Sequence, residues 1–382
     1  MKKTIYLDYA AATPLDPEVL KAMEPFLHSQ FYNPSANYLA ARAVRQKIEA
    51  ARTQIAGLLG ARPAEVVFTA GATEANNLAI GGIMKNSPKA EVLVSAIEHE
   101  SVLEPAKAFN YRLIPVDENG TVDLAKLAKM IRPNTALISV MLINNELGTI
   151  QPLKEIAVLV KNINRERQSQ NEKMPLYLHT DVAQAGNFLD LHVSRLGVDL
   201  MSLNGGKVYG PKQSGALFIK SPLVLAPLIV GGGQERGLRS GTPNPANIAG
   251  LAAALGKSQL MRRVETGRIL DLRVFLEEEI TKRLPTAQIN GHSQKRAPHL
   301  LSITFSDIDN ERLMMSLDEA GIQTSTGSAC SASSDTPSHV LKAIGHSDQQ
   351  ARSTLRISLG RQTTKADIQK LVECLVKLVG PS

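Results

Sequence analysis

The sequence predicts an α/β domain built on a mainly parallel seven-stranded sheet with flanking helices, joined to a smaller α+β domain. Three observations carry this. Short apolar runs alternate with helix-patterned stretches over about residues 50–220. Several of these runs end in polar or glycine-containing turns, as at the carboxyl ends of parallel strands. After Gly256 the texture changes to a charged helix pattern and then to strands in which every second residue is apolar. The expected division is 14–256 for the large domain, and 1–13 together with 257–382 for the small one.

In chain order, Thr13-Pro14 and Asn33-Pro34 punctuate an opening segment that reads as irregular. The strand runs are 66–68, 92–94, 113–116, 136–140, 176–178, 200–203 and 216–219. Between them Leu124, Leu127, Ala128 and Ile131 recur at helical spacing, as do Ile156, Leu159, Val160 and Ile163. Residues 165–173 read as a polar loop. A charged helix spans 268–284 and stops at Pro285. Leu301, Ile303 and Phe305 alternate as a half-buried strand, and Leu355, Ile357 and Leu359 do the same. The last helix opens with Thr364 and Asp367, the two ends of a capping box. Cys374 lies on its apolar face, where a buried and inert thiol is expected.

Composition narrows the classes. Apolar content of 43% with 21% charged residues is that of a globular chain, and no run approaches the roughly 18 apolar residues of a membrane span. The first residues carry two lysines without an apolar stretch behind them, so no signal peptide is expected. Two cysteines in unlike settings argue against a disulfide framework and for a reducing, cytoplasmic home. The formal charge of +7 is spread over scattered Lys and Arg pairs, so direct nucleic-acid binding is not expected.

The chemistry gathers at strand ends. Leu200–Leu203 is followed by Asn204, Gly205, Gly206, Lys207 and then a Gly-Pro turn. A lysine held in such a turn can be desolvated, which eases its deprotonation and suits it to a Schiff base with an aldehyde. Phe68-Thr69-Ala70-Gly71-Ala72-Thr73-Glu74 reads as strand, turn and helix start, where the Ala72 and Thr73 amides and the Thr73 hydroxyl can hold a phosphate. Taken alone, that stretch is more commonly just a well-capped loop between strand and helix. His99, the Asn144-Asn145-Glu146 turn, and Asp181 with Gln184 each follow an apolar run. An aspartate there is costly unless paired, and a protonated pyridine nitrogen is one partner that keeps it ionised.

In this order, with Gly231–Thr242, the stretch Ser325-Thr326-Gly327-Ser328-Ala329-Cys330, and Leu355–Arg361, the set resembles the cysteine desulfurases. These belong to the class V aminotransferase group of fold type I pyridoxal-phosphate enzymes, and the resemblance covers nearly the whole chain. It implies that Lys207 binds the cofactor aldehyde and later moves the Cα proton. Asp181 would pair with the pyridine nitrogen, Gln184 with the ring hydroxyl, and His99 would stack on the ring and share in proton transfer. Ala72, Thr73 and Asn204 would cup the phosphate, with Thr242 supplied by a second subunit. Arg356, assisted by Asn145, would take the carboxylate of L-cysteine. Cys330, in a loop of small and polar residues, would be the nucleophile that receives the sulfur and hands it to an acceptor, an iron–sulfur scaffold or a tRNA-thiolation enzyme. A homodimer is implied, and no metal. Family members usually carry His where Gly206 stands, often Ser at Asn204, and His where Tyr38 is placed. Two other readings fit the same residues: another class V reaction, such as a selenocysteine lyase or an aminotransferase, and a non-catalytic homologue that binds partners.

Overall fold

A computed structural model of the protein describes residues 4–327 and 336–380. The strands are β1 (Ile5–Tyr6), β2 (Val66–Thr69), β3 (Glu91–Ser95), β4 (Asn110–Ile114), β5 (Thr135–Ser139) and β6 (Tyr177–Asp181), followed by β7 (Leu200–Asn204) and β8 (Gly215–Ile219). The last four are β9 (Gln288–Asn290), β10 (Leu300–Thr304), β11 (Ile322–Gln323) and β12 (Thr354–Ser358).

Seven of them form one sheet in the order β2-β8-β7-β6-β5-β3-β4. All neighbours are parallel except β8, which runs antiparallel to both β7 and β2. Each expected strand run lies in this sheet, although β4 sits upstream of its apolar run because Leu113 is exposed and the pairing with β3 begins at Asn110. Both faces are covered. Val67, Val92, Val94 and Leu217 pack under the helix Ala72–Asn86, whereas Phe68, Leu93, Ile138 and Leu178 join a larger core on the opposite side.

Three expectations are corrected. The opening segment is not irregular: helices Pro17–His28 and Leu39–Leu59 occupy it, the first capped by Asp16, whose side chain accepts from the Glu18 amide at 2.9 Å. Residues 165–173 are not all loop, because the helix Leu153–Ser169 runs on through polar residues. It is held by Arg167, buried, which donates to the carbonyls of Thr135, Met174 and Arg132. The charged helix begins much earlier than expected, at Pro245 with Asn244 as its cap, and runs unbroken to Arg283.

That long helix joins two hydrophobic cores. Ile248, Leu251 and Leu255 belong to the core of the large sheet, whereas Ile269, Leu276 and Ile280 belong to a second core with β10, β12 and the helix Lys365–Val379. The antiparallel sheet β12-β10-β9 is buried on both faces along β10 and β12, not half-buried, whereas its edge strand β9 is exposed at Gln288. Its polar face turns Ser302, Thr304 and Asn290 toward one another, and the Asn290 amide donates to both hydroxyls, at 3.1 and 2.9 Å. The capping box at Thr364 and Asp367 forms as expected. Cys374 is only half-buried at the margin of the second core. The N-terminus joins this region through β1 on β11 and through a bridge from Asp8 to Ser358.

Candidate active site

The carboxyl ends of β2, β6 and β7 open on one cleft. Its lining includes Ala72, Thr73, His99, Asn145, Asp181, Gln184, Asn204, Lys207 and Arg356. Every cofactor- and substrate-binding residue expected from the sequence is therefore here except Thr242. That residue is exposed and lines a separate cleft with Gln213 and Asn244. Cys330 lies outside the described residues. Tyr38 is exposed, at the start of the helix Leu39–Leu59, and packs edge-on against Tyr32, away from the cleft.

Lys207 ends a short helical turn, Gly205–Lys207, that opens on the Asn204 side chain, which accepts from the Gly206 amide at 3.0 Å. Gly205 is obligatory, since a Cβ there would lie 2.0 Å from the Ser214 hydroxyl. Gly206 is not, since its nearest neighbour would be Asn204 Oδ1 at 3.5 Å, an ordinary contact. The lysine Nζ donates to the Ala10 carbonyl at 2.8 Å and to the Ala11 carbonyl. The N-terminal segment thus straps the site, anchored where the Thr13 amide and hydroxyl donate to the Gly206 carbonyl at 3.2 and 3.1 Å. Composition gave no signal of this strap.

Asp181 ends β6, only 6% exposed, with both carboxylate oxygens held: Oδ2 accepts from the Asn76 amide at 2.7 Å, and Oδ1 from the Ala183 amide at 2.8 Å. Gln184 donates to the Ala10 carbonyl at 3.0 Å, and its Oε1 lies 3.3 Å from Nε2 of His299. His299 stacks on Phe188, and burial, with the positive charges of Arg356 and Arg273, pushes its pKa down to about 3. A neutral imidazole therefore donates to Gln184 and fixes its amide.

Arg356 is 3% exposed, and its guanidinium donates to Asp8 at 2.8 Å and to the Asn145 carbonyl at 3.0 Å. Its Nε is buried without a protein partner. Glu98, next to His99, is fully buried. One of its oxygens accepts from the Met141 amide at 2.6 Å and the other has no partner. Burial first, and then the neighbouring Asp181, raise its pKa well above the usual carboxylate range. Asn76, Asp8 and Glu98 were not singled out by sequence reasoning. Asn76 had a signal, since it falls one helical turn after Ala72 and Thr73, on the same face.

The donor set can be tested for fit against pyridoxal phosphate. The helix Ala72–Asn86 starts at Gly71 with no side-chain cap, so its first amides are available to an anion. The deeply buried Asp181 carboxylate needs a cation, which a pyridinium nitrogen supplies. A primary amine, Lys207, lines the same cleft. Phosphate, ring nitrogen and aldehyde each find a matching group.

Comparisons with known proteins agree. A model of the family described as aminotransferase class-V matches residues 5–371. The chain is 39% identical over 386 residues to a protein named cysteine desulfurase IscS from Dictyoglomus turgidum, spanning 99% of this chain and 95% of that one. It is 41% identical over 377 residues to cysteine desulfurase IscS 1 from Archaeoglobus fulgidus, covering 97% of this chain and 95% of the relative. A solved structure titled NifS-like protein superposes with a TM-score of 0.89 at 30% identity, over 98% of this chain and 99% of that one. With a matching fold, a matching cleft and relatives over nearly its full length, the chain belongs to the class V aminotransferase family, within its cysteine desulfurases.

Proposed function

We propose that this protein converts L-cysteine to L-alanine and leaves the sulfur as a persulfide on Cys330. The observation that carries the reading is the meeting, in one cleft, of the Lys207 amine, the Asp181 carboxylate, the uncapped helix start at Ala72 and the Arg356 guanidinium. When bound, pyridoxal phosphate supplies an electron sink for the pair released at the substrate Cα.

The residues do the rest. The amides of Ala72 and Thr73, with Asn204, hold the phosphate end, and Asp181 holds the pyridine nitrogen. Lys207 would hold the cofactor aldehyde and, once freed, would take the substrate Cα proton on Nζ. Arg356, which lines the cleft, receives the substrate carboxylate, while Asp8 and the Asn145 carbonyl fix the plane of the guanidinium. The Cys330 thiolate attacks the substrate sulfur. The new S–S bond forms as the Cβ–S bond breaks, its electron pair stays with the carbon skeleton, and a proton at Cβ together with return of the Cα proton from Lys207 completes L-alanine.

The same reading includes a homodimer in which Thr242 completes the neighbour's phosphate site. Support comes from the exposure of Thr242 and from the firm anchoring of its segment. In that segment Glu235 pairs with Arg52 through two contacts of 2.7 Å, and Arg239 pairs with Glu74 at 2.9 Å. An acceptor protein in iron–sulfur cluster assembly or tRNA thiolation and a cytoplasmic setting complete this reading, supported by the family and by the free thiol of Cys374. No helix among the described residues is long and apolar enough to cross a membrane.

The test is alanine release from L-cysteine by protein loaded with pyridoxal phosphate, beside Lys207→Ala. Alanine formation in the wild type with a loss of at least about a thousandfold in the variant is expected. Turnover that survives Lys207→Ala would overturn the assignment.

A further inference from the structure

Asn76 is fully buried between two groups that face the cofactor cleft. Its Nδ2 donates to Oδ2 of Asp181 at 2.7 Å and to Oγ of Ser101 at 2.9 Å. The amide orientation is forced, because the opposite placement would set its carbonyl oxygen against a carboxylate. Both Nδ2 hydrogens are thus committed, and Oδ1 is left buried without a partner.

The direction of the next bond follows. Ser101 Oγ accepts from Asn76, so its own hydrogen turns to its other neighbour, Nδ1 of His99 at 2.9 Å. The Ser101 backbone amide donates to that same nitrogen at 3.0 Å. A ring nitrogen that accepts from a backbone N–H carries no proton, so neutral His99 bears its hydrogen on Nε2. Every hydrogen in this chain points outward from Asn76, toward the carboxylate on one side and the imidazole on the other.

We propose that Asn76 and Ser101 are positioning residues that lock Asp181 and His99 as a matched pair, the carboxylate as an acceptor and the imidazole as an Nε2–H donor. This rests on the pyridoxal-phosphate reading above. It gives the buried amide a role in cofactor electronics, since Asp181 and His99 are set by one side chain and respond together to its loss. An apolar residue of similar size at position 76 would pack the helix equally well and leave no oxygen orphaned.

The experiment compares wild type, Asn76→Leu, Ser101→Ala and Ser101→Thr, each stripped of cofactor and titrated with pyridoxal phosphate. The readouts are the dissociation constant and the pH midpoint of the bound cofactor's visible band. Loss of a hydrogen bond to a charged group predicts about tenfold weaker binding and a displaced midpoint in Asn76→Leu. Ser101→Ala should keep affinity within about twofold, since Asp181 retains Asn76, yet displace the pH dependence of alanine release. Ser101→Thr, which keeps the hydroxyl, should behave as wild type. A folded Asn76→Leu with unchanged affinity and midpoint would overturn the proposal. Independently of the variants, ¹⁵N spectra of histidine-labelled wild type at pH 7.5, assigned with His99→Gln, should show His99 protonated on Nε2 alone. A proton on Nδ1 would refute it even if Asn76→Leu failed to fold. Absence of a visible band in the wild type would sink the cofactor reading and this proposal together, whereas a normal band with silent variants sinks this proposal only.

Discussion

Glu98 carries the sharpest electrostatic conflict in the molecule, a fully buried carboxyl beside another carboxylate with a single backbone donor. Its folded-state pKa is raised, so the sign of the linkage is fixed. Below the unfolded value near 4.5 both states hold the proton and nothing is lost; above it the unfolded chain ionises while the folded one does not, and stability falls as pH rises. Glu98→Gln should therefore raise the melting temperature at pH 8 and leave it nearly unchanged at pH 4. An equal effect at both values would show that Glu98 is ionised in the fold. At this scale the sequence was readable where chemistry sits at a strand end. Lys207 and Asp181 follow apolar runs, so their position in the cleft follows from the strand period alone. Glu98 had no such signal, because its burial and its closeness to the Met141 amide and to Asp181 arise only from the packing of neighbouring strands. Nothing local to Glu98 encodes that.

Turns and helices show which local rules survive tertiary context. Gly205 and Gly206 look alike in sequence, yet one Cβ would collide with Ser214 and the other would make only ordinary contacts of 3.5 Å or more. Gly205→Ala should destabilise the protein by about 1–3 kcal/mol through overpacking. Gly206→Ala should be neutral or stabilise it by about 0.4–1 kcal/mol, because only the unfolded chain loses freedom. Urea unfolding of the two variants decides this, and equal losses would contradict the geometry. The same contrast says that a Cβ at position 206 is not excluded by space. A second element-scale prediction concerns the glycine-rich segment, whose Glu235 pairs with Arg52 where both side chains are nearly buried. Glu235→Ala leaves a buried guanidinium without that partner and should cost about 3–5 kcal/mol; a loss below 1 kcal/mol would mean the pair is solvated. Sequence periodicity found the helices with an apolar stripe but missed where they begin and end. The helix Pro245–Arg283 gives no clean amphipathic pattern, because its first half is buried nearly all round, from Ala246 to Ser258, whereas its second half buries one stripe through Ile269, Leu276 and Ile280. Residues 165–169 stay helical through the buried Arg167, an anchor that polarity alone disguises as a loop signal.

At the scale of the whole molecule, two cores share one long helix, and the cleft is closed by the N-terminal strap that reaches from one region to the other. Both regions contain a buried histidine whose pKa burial depresses to about 3: His179, between Ser139 and Ser202, and His299. Each binds its proton more readily in the unfolded chain, so stability is fully present above pH 6.5 and is lost as pH falls toward the folded values. Their own contribution is a decline of about 3 kcal/mol per pH unit below pH 6, offset in part above pH 4.5 by Glu98, whose contribution has the opposite sign, and urea unfolding reads the net slope. His179→Gln should make the slope between pH 6 and 4.5 shallower by about 1.4 kcal/mol per pH unit, and a slope unchanged in that variant would contradict the burial of the ring as a neutral imidazole. The overall architecture was legible because seven apolar runs in alternation with helices leave few alternatives to a parallel sheet. The strap was not legible, since its hold on Lys207 is made by backbone carbonyls, which carry no sequence signature.

The central claim is sulfur transfer to Cys330, and a single-turnover experiment tests it most directly. Protein loaded with pyridoxal phosphate is mixed with one equivalent of L-cysteine without reductant, and intact mass is read together with alanine, in wild type and in Cys330→Ser. The account predicts a gain of one sulfur atom, mapped to the peptide that contains Cys330, with an equal amount of alanine, and neither product in Cys330→Ser. Alanine in equal amounts from both proteins, with no sulfur added at Cys330, would contradict it.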